Sequence, residues 1–345
     1  MELAAEDVFC LQVMLASGVQ AIRVDESALC VYALTQKGEA RVALHPQGNV
    51  ERYLRLVREL LVEHAMESGQ GYRERPRRRS QVFHIASANL EPLLLTGDAQ
   101  ALSSVARSAR LTDELAARVW WAMPTADHAR RMLERECVAH GQTGKALAEF
   151  LIGDLPFESD AEIVESLVIL LRSGLVEEAQ RMALWKKGAH KPVYYLPFLA
   201  VTPDDLPCPR AARPDWETLC GQGVAHGGGD GRMRRLCRVL SGNGQAFLQA
   251  CVFVLTHADE QDLVTAVLDA LSRYLQLPDD AEEPADPSCE GAAMRALSRI
   301  GPWRMCEFLP DSSISGTLMR SRLKPLTDEV LGHINVLLGR PTAPA

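Results

Sequence analysis

The feature that most constrains the fold is a succession of short amphipathic segments that begins near residue 89. Apolar residues recur at helical spacing within each segment, and residues that commonly cap helices precede several of them. The candidate caps are Asp98, Thr112, Thr125 and Ser159. A sequence of this kind predicts a mainly α protein built from short helices that pack in pairs.

The apolar spacing also predicts the extent of each helix. Predicted helices cover 89–96, 98–108, 112–123, 125–136, 143–152, 159–172, 175–187, 192–200, 231–241, 245–257, 260–276, 289–299 and 326–338. Because their lengths and spacing are uneven, they predict an irregular HEAT- or armadillo-like helical array and not a clean repeat.

The first 70 residues follow a different pattern. An apolar helical run at 8–16 precedes three short alternating segments, and a second helical pattern begins at Asn49 and continues to about residue 67. This order predicts a small α+β unit, a three-stranded meander with two helices.

Breaks in composition divide the 345 residues further. We expect an α+β unit at 1–70, an Arg-rich linker at 71–84, a helical-repeat region at 85–207 and a C-terminal helical region at 208–340. The last region contains a Gly-rich loop, HGGGDG, and an acidic loop rich in proline. Two or more compact domains suit a chain of this length.

The linker contains a cluster of five basic residues: Arg73, Arg75, Arg77, Arg78 and Arg79. Such a cluster suits RNA, a nucleotide or an acidic protein face. The chain as a whole has a net charge of −8, and Tyr72 is the one aromatic residue interleaved with the cluster. Both facts favour a solvated linker over a nucleic-acid site.

Two aromatic pairs are the other candidates for an interaction site. Trp120 and Trp121 are adjacent on a predicted helix, so they cannot both face the same neighbour, and one of them is available for another helix or a partner. Tyr194 and Tyr195 present the same alternatives, packing within the core or contact with a partner.

Segments that resemble catalytic motifs lack an essential part. Residues 139–146 nearly form a phosphate-binding loop, but Ala146 replaces the hydroxyl residue and a helix precedes the segment. The His226-Gly-Gly-Gly stretch resembles an oxyanion loop, but the chain has no G-x-S-x-G elbow. The acidic pairs at 204–205 and 279–280 are expected to cap helices. We expect no catalytic site and no cofactor.

Nine cysteines are scattered along the chain without a C-x-x-C spacing. The odd number and the spacing disfavour a zinc site, an iron–sulfur cluster or a disulfide framework. Most cysteines are therefore expected to be small buried residues, and no metal is expected at Cys137 and His140 or at Cys220, His226 and Cys237. The acidic N-terminus and the lack of a long apolar stretch predict a cytoplasmic protein without a membrane partner.

Several stretches resemble the DsrS family, accessory proteins encoded with dissimilatory sulfite reductase in sulfur-oxidising bacteria. The resemblance covers about the first 207 residues, at 20–27, 53–61, 111–124, 129–135, 155–158, 183–188, 194–195 and 203–207. It implies a cytoplasmic role beside sulfite reductase in sulfur oxidation. It transfers no catalytic residue to this chain.

We therefore expect a non-catalytic accessory protein that binds a protein of the sulfur-oxidation pathway, or a transcript of it. One alternative is a cysteine-based sulfur-handling protein, which would need an exposed and activated thiol. Another is an RNA-binding regulator that uses the arginines at 73–79. The oligomeric state stays open at this point.

Overall fold

A computed structural model of the protein describes residues 3–69, 89–218, 220, 231–276, 289–309 and 315–340. The described part is mostly helical, with one small three-stranded sheet near its N-terminus, which confirms a mainly α fold. The chain divides into two compact units, Met1–Pro156 and Phe157–Ala345.

The first unit contains the sheet and eight described helices. Its elements are α1 (Ala5–Leu15), β1 (Val19–Asp25), β2 (Cys30–Thr35), β3 (Gly38–Ala43), α2 (Val50–Gly69), α3 (Glu91–Leu94), α4 (Ala99–Ala106), α5 (Asp113–Ala122), α6 (Ala126–Leu133), α7 (Glu136–Ala139) and α8 (Gln142–Asp154). A 3₁₀ turn, Leu155–Phe157, follows α8.

The described secondary-structure elements of the second unit are all helical. Its elements are α9 (Asp160–Ser173), α10 (Glu178–Lys187), the 3₁₀ turn Pro192–Tyr194, α11 (Tyr195–Val201), α12 (Gly231–Leu240), α13 (Gly242–His257), α14 (Gln261–Leu275), α15 (Cys289–Ser298), the 3₁₀ turn Pro302–Glu307 and α16 (Gly316–Leu337). Neighbouring helices in the chain pack against each other, as α13 does with α14, α14 with α15 and α15 with α16.

The sheet is an antiparallel meander with strand order β1-β2-β3. Alternation places one set of side chains on a buried face, where Ile22, Val31 and Ala33 pack against the apolar sides of α1 and α2. Those helices contribute Leu11, Leu15, Tyr53, Val57 and Leu61 to the same core. The opposite face of the sheet includes Arg23, Tyr32 and Arg41.

The α+β elements and the first helices of the predicted array belong to the same compact unit. β1 packs against α3 and α5, and α2 packs against α3. The outer face of the sheet is therefore partly covered by helices that follow it by about 80 residues in the chain, as the 82-residue separation of Glu39 and Trp121 shows.

The four caps predicted from the sequence are present. The side chains of Asp98, Thr112 and Thr125 accept hydrogen bonds from backbone amides in the first turns of α4, α5 and α6. Ser159 and Glu162 form a capping box at the start of α9. Each cap uses residues three positions apart, so local sequence is sufficient to specify it.

The last helix is longer than the sequence suggests. We expected a helix at 326–338, beginning after Pro325, whereas α16 begins at Gly316 and continues through that proline. Proline removes one helical hydrogen bond. The buried stripe of Met319, Leu323 and Leu326 spans the proline and offsets this loss.

Among the described helices, none alone has the length and apolar character needed to cross a membrane. The pair Met233–Leu240 and Gly242–His257 reaches that threshold only when taken together, and it bends by 70° at the break.

Candidate functional site

Trp120 and Trp121 point to different neighbours, as expected for adjacent residues on a helix. The indole of Trp120 packs edge-to-face on Phe150 of α8, with ring centroids 4.9 Å apart. Trp121 lies over the outer face of the sheet, where its ring is 5.2 Å from the guanidinium carbon of Arg23. Both indoles are half-buried. Trp121 is therefore the member of the pair that contributes to a polar surface.

That surface is built on a row of three residues that are directly opposite one another on the three strands. Arg23 of β1 pairs with Tyr32 of β2, and Tyr32 pairs with Arg41 of β3. The guanidinium carbons of Arg23 and Arg41 lie 4.7 and 5.8 Å from the Tyr32 ring centroid. We call these residues, together with Trp121 and Glu39, the arginine–aromatic surface.

Glu39 holds two members of this surface in place. One carboxylate oxygen accepts a hydrogen bond of 3.0 Å from the indole nitrogen of Trp121, and the other lies 3.7 Å from a guanidinium nitrogen of Arg23. The side chains of Arg23 and Glu39 are 36% and 43% exposed. The surface is therefore ordered by internal contacts while it stays open to solvent.

Arg41 donates its side-chain hydrogen bonds to a cysteine. Its Nε and Nη2 donate hydrogen bonds to the sulfur of Cys30, at 3.2 and 3.1 Å. These hydrogen bonds are the main reason that the pKa of Arg41 is raised above its ordinary value. Arg41 is exposed whereas Cys30 is buried. The charge of Arg41 is accordingly available at the surface, and the hydrogen bonds to Cys30 fix the direction of the Arg41 side chain.

Two guanidinium groups and one carboxylate give this surface a local charge of about +1 beside two aromatic rings. Arginine, tyrosine and tryptophan are the residues that most often dominate protein–protein binding energy. Sequence inspection marked Trp121 but missed Arg23, Tyr32 and Arg41. The alternation of the strands indicates that they share a face, but their register is not apparent from local sequence.

The tyrosine pair lies in the second unit. Tyr194 is buried, and burial raises its pKa. Tyr195 is half-buried and packs edge-to-face on Trp185 and Phe253, with ring centroids 4.4 and 5.8 Å away. Both rings are thus engaged by neighbours in their own unit.

The other sequence-based candidates lie outside the described residues. They are the Arg-rich linker with Arg73, Arg75, Arg77, Arg78 and Arg79, the loop at His226, and the acidic loop with its pair at 279–280.

The segment that resembles a phosphate-binding loop has its amide donors occupied. Asp113 accepts hydrogen bonds from the backbone amides of Gln142 and Thr143, at 2.9 and 3.2 Å. Lys145 lies on the first turns of α8 and is 3.9 Å from Glu149. A carboxylate at this helix terminus takes the place that an anion would need. The segment is a helix–helix turn, as its context predicts.

A buried carboxylate in the first unit was not anticipated. Asp7 of α1 accepts hydrogen bonds from the His45 amide at 2.7 Å and from the hydroxyl of Tyr53. Burial raises the pKa of Asp7, but these hydrogen bonds and the one to the His45 ring outweigh it, so the pKa is lowered overall. Burial followed by the hydrogen bond to Asp7 raises the pKa of Tyr53 to about 12. This network joins α1, α2 and the end of the sheet.

Ser103 and His128 resemble a nucleophile and its base. The Ser103 hydroxyl lies 2.9 Å from Nε2 of His128, and Nδ1 lies 2.9 Å from the carbonyl oxygen of Met123. The carbonyl can only accept, so Nδ1 donates to it. His128 is only 2% exposed, and Ser103 lies inside α4, whose amides bond within the helix. The pair serves to connect α4 with α6.

A small cavity of about 190 Å³ lies in the second unit among α9, α11 and α14. Its walls are mostly aliphatic, and its polar residues include Arg238 and Tyr274. Arg238 donates two hydrogen bonds of 2.6 Å to Asp204, so its charge is compensated. The ring of Tyr274 stacks on Phe247 and lies under the Arg238 guanidinium. This volume is below the range typical of drug-sized ligands.

The adjacent acids at 204–205 form ion pairs, so the expectation that they cap a helix was wrong. Asp204 binds Arg238, and Asp205 lies 2.9 Å from Arg181. Neither acid stands directly before the start of a described helix. The arginines that reach them come from α10 and α12.

The cysteines are also placed differently from expectation. Only Cys30 and Cys251 are buried among the described free thiols, while Cys10, Cys137, Cys208, Cys289 and Cys306 are exposed. An apolar run in a short helix contains more residues than the one side of the helix that is buried. On α1, Leu11 and Met14 face inward, whereas Phe9 and Cys10 face solvent. Cys220 and Cys237, 17 positions apart, are joined as a disulfide that spacing rules do not reveal.

Within the described ranges, no group of three or more His, Cys, Asp or Glu side chains is arranged to hold a metal ion. Cys137 instead donates to the Leu111 carbonyl, and His140 contacts the Glu136 carbonyl.

The chain was compared with protein-family models, with curated proteins and with solved structures, and none of them matches it.

Proposed function

We propose that this chain is a non-catalytic accessory protein of the dissimilatory sulfite reductase system in sulfur oxidation, and that it acts by binding a protein partner. Two observations support this proposal. Stretches within the first 207 residues resemble the DsrS family. The first unit also presents the arginine–aromatic surface, which has the composition of a protein-binding site.

The observation that carries the proposal is the alignment of Arg23, Tyr32 and Arg41 across the sheet. Cross-strand pairing holds the three side chains at fixed spacing, and Glu39 and Cys30 restrain the two guanidinium groups. A partner therefore meets side chains that have already lost much of their conformational freedom. Such preorganisation lowers the entropic cost of binding.

The chemistry of the surface favours an acidic protein segment with an apolar or planar side chain. A carboxylate suits Arg41, whose hydrogen bonds go to the sulfur of Cys30, and a flat group suits the rings of Tyr32 and Trp121. RNA is a weaker match because two guanidinium groups offer few phosphate contacts. The RNA alternative depends on Arg73–Arg79, which lie outside the described residues.

The proposal also includes the arrangement of the helices and the cellular location of the protein. We infer an irregular HEAT-like arrangement of the helices within each unit, because helices adjacent in the chain pack together, such as α4 with α5 and α14 with α15. A cytoplasmic location is part of the proposal because it follows from the proposed work beside sulfite reductase.

Affinity capture with the full-length tagged chain from extracts of a sulfur-oxidising bacterium tests the proposal. The wild type is compared with a Tyr32→Ala/Arg41→Ala double variant and with Arg55→Ala, which removes an exposed arginine of α2. We expect the wild type and Arg55→Ala to retain a sulfur-pathway protein, identified by mass spectrometry, and the double variant to lose it.

Circular dichroism confirms that the variants are folded. Equal capture by the double variant would remove the arginine–aromatic surface from the proposal. Capture of no sulfur-pathway protein by any version contradicts the accessory role. Recovery that is abolished by ribonuclease favours the RNA alternative instead.

A further inference from the structure

Cys220 and Cys237 stand apart from the other cysteines because the fold brings them together. They are 17 positions apart in the sequence, and their Cα atoms are 5.6 Å apart. That separation is the commonest one for disulfide-bonded residues. Both residues are partly exposed, so neither lies in the closed core of the unit.

Contacts that do not involve sulfur hold the two backbone segments together. The indole nitrogen of Trp216 donates a hydrogen bond of 2.9 Å to the carbonyl of Cys237 on α12. The amide of Arg213 donates to the carbonyl of Leu240 at 3.0 Å, and the amide of Arg210 donates to Gly242 at 3.1 Å. The segment before Cys220 is therefore attached to α12 and its following turn at three points.

Arg213 strengthens this attachment. Its guanidinium is bound by Asp215 and Glu290 and donates to the carbonyl of Val336 on α16. The hydrogen bond to Asp215 is the largest of the effects that raise the pKa of Arg213 well above its ordinary value, so the group stays charged. Because these contacts are independent of the disulfide, the two cysteines stay close after reduction. The disulfide can then re-form without a search through unfolded conformations.

We propose that Cys220 and Cys237 form a reversible dithiol–disulfide site that exchanges with low-molecular-weight disulfides. In the oxidising direction, the thiolate of one cysteine attacks a sulfur of the small disulfide RSSR and releases one RS⁻. The second thiolate attacks the mixed disulfide, forms the bond between Cys220 and Cys237, and releases the second RS⁻. The two cysteines lose two electrons and two protons, and RSSR is reduced to two RSH.

This site is distinct from the arginine–aromatic surface, which lies in the first unit. It also suits a reducing compartment, where disulfides are usually transient and serve in catalysis or redox sensing. The exposed free cysteines Cys208 and Cys306 of the same unit have no described cysteine partner and provide controls.

The first test counts thiols by alkylation of the unfolded protein and intact mass spectrometry, after equilibration with oxidised or reduced glutathione. Of nine cysteines, we expect seven to be labelled in the oxidised wild type and all nine in the reduced protein. Peptide mapping should identify the link between Cys220 and Cys237. Cys306→Ser should show the same difference of two labels between the oxidised and the reduced protein. Cys220→Ser and Cys237→Ser cannot form the link and should show no such difference.

Reversibility is tested by varying the glutathione ratio and following Trp216 fluorescence, since a neighbouring disulfide quenches an indole. We expect one two-electron transition that is the same in both directions and is absent from Cys237→Ser. Trp216→Phe should lose the signal but keep the difference of two labels. If a single-cysteine variant fails to fold, peptide mapping of the wild type still decides the question.

Full labelling of the oxidised wild type, a link between other cysteines, or a link that reduced glutathione cannot open would each overturn the proposal. Release of stoichiometric zinc when the two thiols are alkylated would also overturn it, because the pair would then be part of a metal site.

Discussion

Nδ1 of His45 lies 2.9 Å from Oδ1 of Asp7, a carboxylate whose side chain is only 2% exposed while that of His45 is 68% exposed. The hydrogen bond to Asp7 is the first cause of the raised pKa of His45. The pKa of Asp7 is lowered overall even though burial raises it, because the hydrogen bonds from His45 and Tyr53 favour the charged form. The protonation states of His45 and Asp7 therefore affect how strongly α1 is held to the end of the sheet.

The pH dependence of stability should follow from these two shifts. A raised histidine pKa stabilises the fold fully below the unfolded value of 6.5, and this stabilisation is lost as pH rises through the folded value. A lowered aspartate pKa stabilises the fold above 3.8, and this is lost as pH falls through the folded value. The pair contributes most between these limits.

The wild-type protein should lose stability as the pH rises above neutral, and we expect His45→Gln to lose less over the same range. Urea denaturation at about pH 5.5 and about pH 8.5 measures it, with His140→Gln as an exposed histidine control in the same unit. An NMR titration of the His45 ring should give a midpoint above 6.5. Identical pH profiles for the wild type and His45→Gln would contradict this prediction.

The same substitution at two buried tyrosines should have opposite effects. Tyr53→Phe removes a donor to the ionised Asp7, and we expect a loss of about 2 kcal/mol in unfolding free energy. Among the described residues, the buried hydroxyl of Tyr274 has no hydrogen-bond partner within 3.5 Å. Burial is the main reason that its pKa is raised, and the nearby Asp204 adds to this effect. Tyr274→Phe should therefore be neutral or stabilise by up to about 1 kcal/mol.

Chemical denaturation of both variants in one buffer provides the measurement. A loss at Tyr274 as large as that at Tyr53 would mean that the Tyr274 hydroxyl has a partner in solution.

Two glycines of α8 should also respond differently to alanine. A Cβ at Gly144 would lie 2.5 Å from the carbonyl oxygens of Val138 and Ala139, which are backbone atoms that cannot easily move. A Cβ at Gly153 would meet no atom of the described residues within 4 Å. We expect Gly144→Ala to lower stability by about 2 kcal/mol or more, in the range for overpacking. Gly153→Ala should raise it by roughly 0.5–1 kcal/mol through helix propensity.

Thermal denaturation monitored by circular dichroism distinguishes the two variants. The interpretation fails if both substitutions shift the midpoint in the same direction.

The link between Cys220 and Cys237 should stabilise the oxidised protein. Closing a loop of this length restricts the unfolded chain and is worth about 3 kcal/mol in the chain-entropy description. We expect Cys220→Ser to lose most of this value under oxidising conditions and to match the wild type in a reducing buffer. Cys208→Ser is the control, and an equal loss in both buffers would show that the serine acts through packing instead.

The positions of the helices could be predicted well because their signals are local. The caps at Asp98, Thr112, Thr125 and Ser159 each act on an amide three residues away, so the sequence around them contains all the information needed. The failure at Pro325 has the opposite cause. There the local signal against helix is outweighed by the burial of an apolar stripe on both sides of the proline.

Sequence by itself determined the mainly α fold, the small meander and most helix boundaries, because periodicity and capping depend on neighbours within about four residues. Tertiary structure alone decided which side chains meet. Strand register aligns Arg23, Tyr32 and Arg41, and packing of α5 on β1 brings Trp121 to Glu39 across 82 residues. The encounters of Asp7 with His45 and of Cys220 with Cys237 arise in the same way, since burial of apolar faces places distant segments side by side.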